Sequence, residues 1–294
     1  MKNSLPSAGI GVIGGSGFYN LVSLNDDQYI EIQTPFGPPS GKVLIGNISD
    51  RSVAFLSRHG IGHRFSPSEV NYRANLYAMK LLNVKKLISI NAVGSLREEI
   101  IPTSLVIPDQ FIDNTSKREN TFFGDGIVAH VSMAEPTCSS LSHTAFEAAN
   151  VVGLDAHSGG TYVNIEGPHF STRAESELYR KFQCSVIGMT QATEAKLARE
   201  LEMCFASLSF VTDYDCWHLD ADSVSVELIV ENLGKNSENA NRIISLLVEK
   251  LDADECLCSC HSSLQNAFIT DPDQITRKTR EKLAPVIGKY IPLE

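Results

Sequence analysis

The chain has 294 residues, of which 43% are hydrophobic and 20% are charged, so it can bury the core of one large α/β domain or of two small ones. Its formal charge of −10 argues against a general nucleic-acid binder, which would carry a basic stripe. No apolar run approaches the ~20 residues that span a bilayer, and residues 1–9 lack the apolar core of a secretory signal, so the cytoplasm is the expected compartment.

Strand-like and helix-like patterns alternate along the chain. In chain order they predict strands at 9–17 and 53–57, a helix at 71–82, strands at 86–92 and 105–109, helices at 141–151 and 174–182, a strand at 186–189, a helix at 193–201, a strand at 204–211 and a helix at 224–251. Such alternation predicts an α/β fold with a mostly parallel, helix-covered sheet. Without an internal repeat or a low-complexity linker, we expect a single domain over residues 1–294, with a C-terminal extension from about residue 252.

Two carboxylates follow the apolar run at 204–211. The chain breaks there into Thr-Asp-Tyr-Asp-Cys-Trp, which places Asp213 and Asp215 where ligands bind in open α/β sheets, outside the carboxyl ends of the strands. If the chain stays extended, residues i and i+2 point the same way, and such a pair can give one proton and accept another. The alternative is a helix N-terminus, where Asp is a common cap.

Two further strand ends carry residues that suit an anion. The Gly14-Gly15-Ser16-Gly17 run lacks the Gly-Lys-Ser/Thr of a P-loop, so it is either an anion-cradling turn or a plain tight turn. The segment 58–64 holds Arg58, His59, His63 and Arg64, and this concentration of cationic groups in an acidic chain favours an anion site over a surface basic loop. His63 also fits a structural role.

Weaker signals stand at two more strand ends, Asn91-Ala92 and Met189-Thr190. A Thr hydroxyl can donate to a phosphate oxygen, and a Met side chain can pack on a sugar. The convergence of these strand ends describes a crevice with an anion pole and a pole that reads a nitrogen-rich base.

The seven cysteines are too few for a disulfide scaffold in a chain of this length. Cys256, Cys258 and Cys260 alternate before His261, but zinc sites usually show a C-x2-4-C spacing and a second ligand pair, so the sequence does not favour zinc. Cys184 and Cys216 read as buried free thiols. The basic stretch at 277–282 reads as a solvated helix face.

Several stretches together resemble 5′-methylthioadenosine phosphorylases, in the trimeric-type branch of the purine nucleoside phosphorylases. The matching stretches are IGGSG (13–17), TPFG (34–37), RHG..H (58–63), VNYRAN (70–75), NAVGSLREE (91–99), DQFID (109–113), MAEP (133–136), IEGPHFSTRAES (165–176), GMT (188–190) and TDYDCW (212–217). The resemblance covers about residues 10 to 250. It implies a phosphorylase/hydrolase-like α/β fold: three layers, αβα, with a central mixed, mostly parallel sheet.

The resemblance also implies roles for individual residues. The phosphate site would be formed by Ser16, Arg58, His59, Ala92 and Thr190. The ribose would lie on Met189, Phe170 would stack on the base, and Ser171, Asp213 and Asp215 would face the purine edge. Val226 and Ile229 would line the methylthio pocket, and His130 would be contributed there by a neighbouring subunit.

The implied reaction is phosphorolysis of 5′-methylthioadenosine to adenine and 5-methylthioribose 1-phosphate. A 6-amino purine needs an acceptor for its N6 hydrogens and a donor at N7, which a carboxylate and a protonated carboxyl supply. The 6-oxo branch has Asn where Asp213 stands and Glu where Ser171 stands. The remaining alternatives are a 5′-methylthioinosine phosphorylase, a broader purine nucleoside phosphorylase and a non-catalytic nucleoside-binding protein.

The same resemblance implies inorganic phosphate as co-substrate, no metal or organic cofactor, and a homotrimer or homohexamer. One departure is the segment after Thr190, where the family usually has Pro-Glu and this chain has Gln191-Ala192; Thr193 is then a plausible helix cap. Thermophilic archaeal members carry cysteines at the positions of Cys138 and Cys204 and a Cys-x-Cys like Cys258–Cys260. We therefore expect Cys138 and Cys204 to lie close enough to bridge, and a Cys258–Cys260 bridge is a second hypothesis.

Overall fold

One twisted sheet runs through the molecule. The structure, a computed structural model, describes residues 5–18, 25–218, 226–252 and 258–293. The strands are β1 (Ile10–Gly14), β2 (Asn25–Ile30), β3 (Val43–Ile48), β4 (Arg51–Ser57), β5 (Lys86–Ser95), β6 (Leu105–Ile107), β7 (Gln110–Asn114), β8 (Ala156–Ser158), β9 (Thr161–Ile165), β10 (Val186–Gly188) and β11 (Cys204–Asp213). The helices are α1 (Tyr72–Leu81), α2 (Ser139–Val151), α3 (Arg173–Lys181), α4 (Gln191–Glu200), α5 (Val226–Lys250) and α6 (Arg277–Ile287).

The sheet branches at β5. Its main path runs β2-β3-β4-β1-β5-β10-β9-β7, and β5 also pairs with β11, which continues the sheet through β6 to β8. Six of the pairings between strands are parallel and four are antiparallel. Strands β5 and β11 are almost wholly buried, as expected for parallel strands covered on both faces. The predicted mixed, mostly parallel sheet is confirmed.

Helices cover both faces of the sheet and give two main apolar cores. Helices α1, α4 and α6 pack on one face, around Leu76, Leu197 and Leu283. Helices α2 and α5 pack on the other, around Leu141 and Ile243. The three-layer αβα arrangement predicted from the sequence is therefore confirmed. None of the helices in the described residues combines the length and apolar character needed to cross a membrane.

The structure differs from the prediction at one helix start. Helix α4 begins at Gln191 with Thr190 as its N-cap, so the prediction that it starts at residue 193 behind a Thr193 cap is wrong. The backbone N–H of Ala192 donates to Asn164 Oδ1 of β9 over 3.1 Å. A side chain distant in sequence thus accepts the hydrogen bond of a first-turn N–H that a local cap would otherwise satisfy. No local sequence pattern reveals this distant partner.

Five strands were not predicted: β2, β3, β7, β8 and β9. Strands β2, β7 and β8 lie at the ends of the sheet, whereas β3 and β9 lie inside it. Strand β2, with the sequence NDDQYI, is a largely exposed edge strand, and β8 has three residues. Edge strands of this kind lack the buried alternation that marks a strand, because only one neighbour and little core hold them.

The C-terminal segment 258–293 packs on the core of the fold. Leu264, Ile275 and Leu283 belong to the same apolar cluster as α1 and α4. In the basic stretch at 277–282, Arg277 and Lys278 are exposed, as predicted, whereas Arg280 and Lys282 are half-buried. Val286 and Ile287 face inward. A single domain with an extension from about residue 252 stays a prediction.

Candidate active site

A cavity of about 270 Å³ opens at the carboxyl ends of the central strands. The loop after β1, the end of β4, the second half of β5, the β10–α4 junction and the end of β11 all reach it. It brings together ten residues predicted from the sequence: Ser16, Arg58, His59, Ala92, Phe170, Ser171, Met189, Thr190, Asp213 and Asp215.

Arg58 is a buried cationic side chain in the lining of this cavity. Its side chain is fully buried and pairs with Glu194 through Nε–Oε1 at 2.5 Å and Nη2–Oε2 at 3.0 Å. It also donates to Ser89 Oγ over 2.6 Å and to the carbonyl of Ile90 over 3.0 Å. These bonds use four of the five guanidinium N–H groups, which leaves one on Nη1 for a ligand. A Cβ at Gly15 would lie 2.5 Å from Nη1, so glycine is required there for the loop to approach Arg58.

The two histidines of the 58–64 loop stack beside Arg58. The ring centroids of His59 and His63 are 4.3 Å apart. Burial and the neighbouring Arg58 charge lower the pKa of His59 to about 3. Its Nδ1 lies 2.8 Å from the carbonyl of Phe65, and a carbonyl only accepts, so Nδ1 carries the proton. In the neutral ring Nε2 is then an acceptor, and donation from Nε2 to phosphate, as the sequence suggested, would need a protonated ring.

The β10–α4 junction places Met189 and Thr190. Thr190 is nearly buried and stands at the N-terminus of the 10-residue helix α4, where the helix dipole favours an anion. The buried Arg118 donates to the carbonyl of Met189 over 2.7 Å and to the carbonyl of Glu166 over 2.8 Å. Arg118 therefore holds Met189 in position. Its role was not predicted, because its partners come from distant segments.

The paired acids form the opposite pole. Asp213 Oδ2 accepts from the Thr212 hydroxyl over 2.7 Å, and Oδ1 accepts from the backbone N–H of Asp215 over 2.9 Å. Burial raises the pKa of Asp213, and the carboxylate of Asp215 adds a smaller upward contribution. Burial also raises the pKa of Asp215, which accepts from Ser171 Oγ at 3.0 Å.

The backbone leaves the extended conformation between the two acids, since Asp213 is the last residue of β11. The pairing of β11 with β5 shifts register between Val211 and Asp213, and Asp215 begins a short 3-10 turn (Asp215–Trp217) with a φ of 45°. The condition for two aligned side chains, an extended chain through both acids, is therefore not met, and a short helical turn begins at Asp215 instead. The turn instead lets Asp213 accept the N–H of Asp215, so the acids are arranged by the loop.

The rest of the cavity wall is mostly apolar. Phe170 is 55% exposed at the mouth, free to lie against a flat ring. Leu233 of α5 lines the cavity and was not predicted, although it stands at helical spacing from Val226 and Ile229. The side chains of Val226 and Ile229 lie outside the described residues. His130 is exposed and does not line this cavity, so its role across a subunit boundary stays a prediction.

Comparison with known proteins places the chain. Residues 9–249 match the model of the phosphorylase superfamily. The S-methyl-5′-thioadenosine phosphorylase of Gloeobacter violaceus is 52% identical, over 98% of this chain and 97% of the relative. That of Geobacter sulfurreducens is also 52% identical, over 96% of this chain and 99% of the relative.

Two solved structures agree with this match. A methylthioadenosine phosphorylase from an antarctic soil metagenomic library superposes with a TM-score of 0.90 at 45% identity, over 95% of this chain and 99% of that chain. The Schistosoma mansoni methylthioadenosine phosphorylase, solved with adenine, gives a TM-score of 0.85 at 33% identity, over 90% of this chain and 99% of that chain. The chain therefore belongs to the phosphorylase superfamily and, within it, to the S-methyl-5′-thioadenosine phosphorylases.

Proposed function

We propose that this protein cleaves S-methyl-5′-thioadenosine with inorganic phosphate, giving adenine and 5-methylthioribose 1-phosphate. The observation that carries the proposal is a buried carboxyl with a raised pKa, Asp213, in one cavity with a buried arginine, Arg58. The carboxyl of Asp213 suits a leaving base that takes up a proton, and the guanidinium of Arg58 suits an anionic nucleophile. The family, at about 50% identity over nearly the whole chain, supports the same reaction.

At the anion pole, the remaining N–H of Arg58, the hydroxyls of Ser16 and Thr190 and the N-terminus of α4 would bind phosphate. Neutral His59 would accept a hydrogen from a protonated phosphate oxygen. The bound phosphate then attacks C1′ of the ribose as the glycosidic bond breaks. Its negative charge stabilises the oxocarbenium character of the sugar in the transition state.

At the base pole, the protonated carboxyl of Asp213 would give its proton to purine N7, so that adenine leaves neutral. Asp215, fixed by the hydroxyl of Ser171, would accept from the N6 amino group. Phe170 would stack on the base, and Met189 would contact the ribose. The apolar end, with Leu233 and the predicted Val226 and Ile229, would take a methylthio group, since a 5′-hydroxyl would lose its hydrogen bonds there.

The quaternary structure and the location are part of the same proposal. We expect a homotrimer or a homohexamer in the cytoplasm, with His130 of one subunit reaching the 5′ end of a neighbouring site. Phosphate would be the co-substrate, with no metal or organic cofactor in the reaction. Sedimentation measurements and a His130→Ala variant would test the shared site: the variant should raise KM for the methylthio substrate without dissociating the oligomer.

The function is tested by base release from methylthioadenosine, methylthioinosine, adenosine and inosine, each with and without phosphate. We expect adenine release that requires phosphate and is fastest with methylthioadenosine. Release of hypoxanthine alone would keep phosphorolysis but overturn the assignment of the acids. Release that ignores phosphate would make the protein a hydrolase and remove the role of Arg58.

A further inference from the structure

Four cysteines from three segments converge at the amino end of β11, the end opposite the cavity. Cys204 begins β11, Cys138 precedes helix α2, and Cys258 and Cys260 belong to the C-terminal segment. Their Sγ atoms all lie within 4.8 Å of one another, and Cys204 and Cys258 are 3.3 Å apart. Among the described residues, this is the one group of side chains arranged to hold a metal ion.

We propose that Cys138, Cys204, Cys258 and Cys260 bind one Zn²⁺ ion that fastens the C-terminal segment to the sheet. The ion would be structural, and it is independent of the reaction proposed above. The sequence disfavoured zinc because the Cys-x-Cys pair lacked a second pair of ligands. The fold supplies that pair from positions 138 and 204, which lie far away in the chain.

The distances fit a tetrahedral ion. Zinc–sulfur bonds of about 2.3 Å at tetrahedral angles place neighbouring sulfurs about 3.8 Å apart. The four sulfurs all lie within 4.8 Å of one another, and those of Cys204 and Cys258 are 3.3 Å apart, so small side-chain rotations suffice. Tetrahedral sulfur-only sites select zinc or iron, and four protein ligands that close the coordination sphere are typical of structural zinc.

Burial also suits a structural ion. Cys204 is 0%, Cys138 2% and Cys260 4% exposed, and only Cys258 reaches the surface in part. Water therefore has access to one edge of the cluster only. A closed site of this kind exchanges its ion slowly and adds the binding free energy to folding.

The surroundings offset the charge of the complex. Zinc bound by four thiolates carries a net charge of −2. Arg199, which is nearly buried, lies with Nη1 3.7 Å from Cys260 Sγ. Cys138 stands at the N-terminus of the 13-residue helix α2, where the dipole favours a thiolate.

His261 gives the cluster a second layer. Its Nδ1 lies 2.7 Å from the carbonyl of Glu202, which fixes the proton on Nδ1, and its Nε2 lies 3.7 Å from Cys204 Sγ. Groups that orient the ligands in this way tune metal affinity.

Two disulfides are the competing interpretation. They would pair Cys138 with Cys204 and Cys258 with Cys260. Ser259, the residue between Cys258 and Cys260, begins the 3-10 turn Ser259–Ser262, and a helical residue at this position brings the two flanking Cα atoms within the range of a disulfide. Backbone geometry therefore allows both interpretations. Paired disulfides need an oxidant, whereas zinc binding only displaces thiol protons into solvent. In a reducing compartment, clustered cysteines favour metal binding.

The bound ion would act as a clasp for the C-terminal segment. Two residues of the segment after Cys260 are held by Glu202, which precedes β11. The Glu202 carboxylate accepts from the Tyr290 hydroxyl over 2.6 Å and from the backbone N–H of Leu264 over 3.1 Å. The segment also meets residues near position 130, since the backbone N–H of His130 donates to Ala267 over 2.8 Å. Losing the ion should therefore loosen residues 258–293 first.

The first test is the metal content of the full-length protein, purified without chelator and measured by elemental mass spectrometry. We expect one equivalent of zinc per chain. Replacement by Co²⁺ should give sulfur-to-metal charge-transfer absorption and the intense visible bands of a tetrahedral site. Cys258→Ser should weaken zinc affinity at least tenfold in competition with a chromogenic chelator. The matched control, Cys184→Ser, removes a buried cysteine outside the cluster and should keep full occupancy.

Three results would overturn the proposal. One is a metal-free protein whose unreduced mass shows the hydrogen loss of disulfide formation. Another is a protein whose thiols all react with a thiol reagent under denaturing conditions and that binds neither added Zn²⁺ nor Co²⁺. The last is zinc that stays bound with equal affinity in Cys258→Ser. Since the wild-type measurements need no variant, a variant that fails to fold does not leave the question open, and phosphorolysis assays are not involved.

Discussion

The two ends of strand β11 place very different chemistry on one buried element. Asp213 at the carboxyl end and Cys204 at the amino end are separated by about 30 Å along the strand. Both are buried, at 8% and 0% exposure. At the carboxyl end the loops stand apart and leave a cavity, so burial raises the pKa of an acid that a substrate can reach. At the amino end, α2 and the C-terminal segment close around the strand, so burial brings four sulfurs together.

The comparison shows that burial alone does not define a site. A polar group becomes catalytic where burial leaves room for a ligand, and structural where the chain fills that room. The carboxyl end of the sheet is the open one because the segments that follow neighbouring strands diverge there, as is usual in open α/β sheets.

The largest effect is expected from Asp213→Asn. The amide cannot pass a proton to N7, so kcat/KM for methylthioadenosine should fall about 10²–10⁴-fold. Steady-state rates of adenine release measure this fall in kcat/KM. The matched control is Asp155→Asn at an exposed position, which should leave turnover unchanged. An equal loss on inosine-type substrates would contradict the assignment of Asp213 to 6-amino purines.

Removing the partner of Arg58 should cost stability as well as phosphate binding. Glu194→Ala leaves a buried guanidinium uncompensated, which costs about 3–5 kcal/mol in the free energy of unfolding. Urea denaturation checks this value. The control is Glu281→Ala, which breaks the exposed pair with Arg277 and should change stability by less than about 1 kcal/mol. Equal effects of the two substitutions on the free energy of unfolding would show that Glu194 is not needed to compensate the buried charge of Arg58.

The low pKa of His59 predicts an acid-sensitive stability. The folded protein does not protonate this ring until about pH 3, whereas the unfolded chain does so near pH 6.5. The unfolded state therefore binds more protons between these values, and the His59 contribution to stability falls as the pH drops below about 6.5. The loss is at most about 1.4 kcal/mol per pH unit.

Urea midpoints at pH 7 and pH 5 measure this contribution. His59→Gln should flatten the decline between the two pH values, while substitution of the exposed His143 by Gln should not. A decline that persists unchanged in His59→Gln would show that other groups cause it.

The smallest effect is expected from Ser171→Ala. This change removes the 3.0 Å hydrogen bond that holds Asp215 and costs about 1 kcal/mol, or roughly fivefold in kcat/KM. Loss of orientation should appear mainly with 6-amino substrates, so the ratio of methylthioadenosine to methylthioinosine turnover is the measurement. An unchanged ratio would place Ser171 outside base selection.

The sequence alone was sufficient for the main elements of the fold and most of the site. Buried strands such as β5 and β11 are largely apolar runs. Arg58 directly follows β4, Thr190 lies two residues after β10, and Asp213 is the last residue of β11. These features are local in the chain, so pattern and chain position reveal them. The family resemblance rests on the same short stretches.

Only the tertiary structure decided which distant groups meet. Glu194 closes on Arg58, Asn164 caps α4, Arg118 holds Met189, and Cys138 joins Cys204 and the C-terminal cysteines. Each of these contacts joins segments whose separation is fixed by the packing of helices on the sheet. A local pattern records the burial of a residue but not its partner, because the partner is chosen by the path of the whole chain.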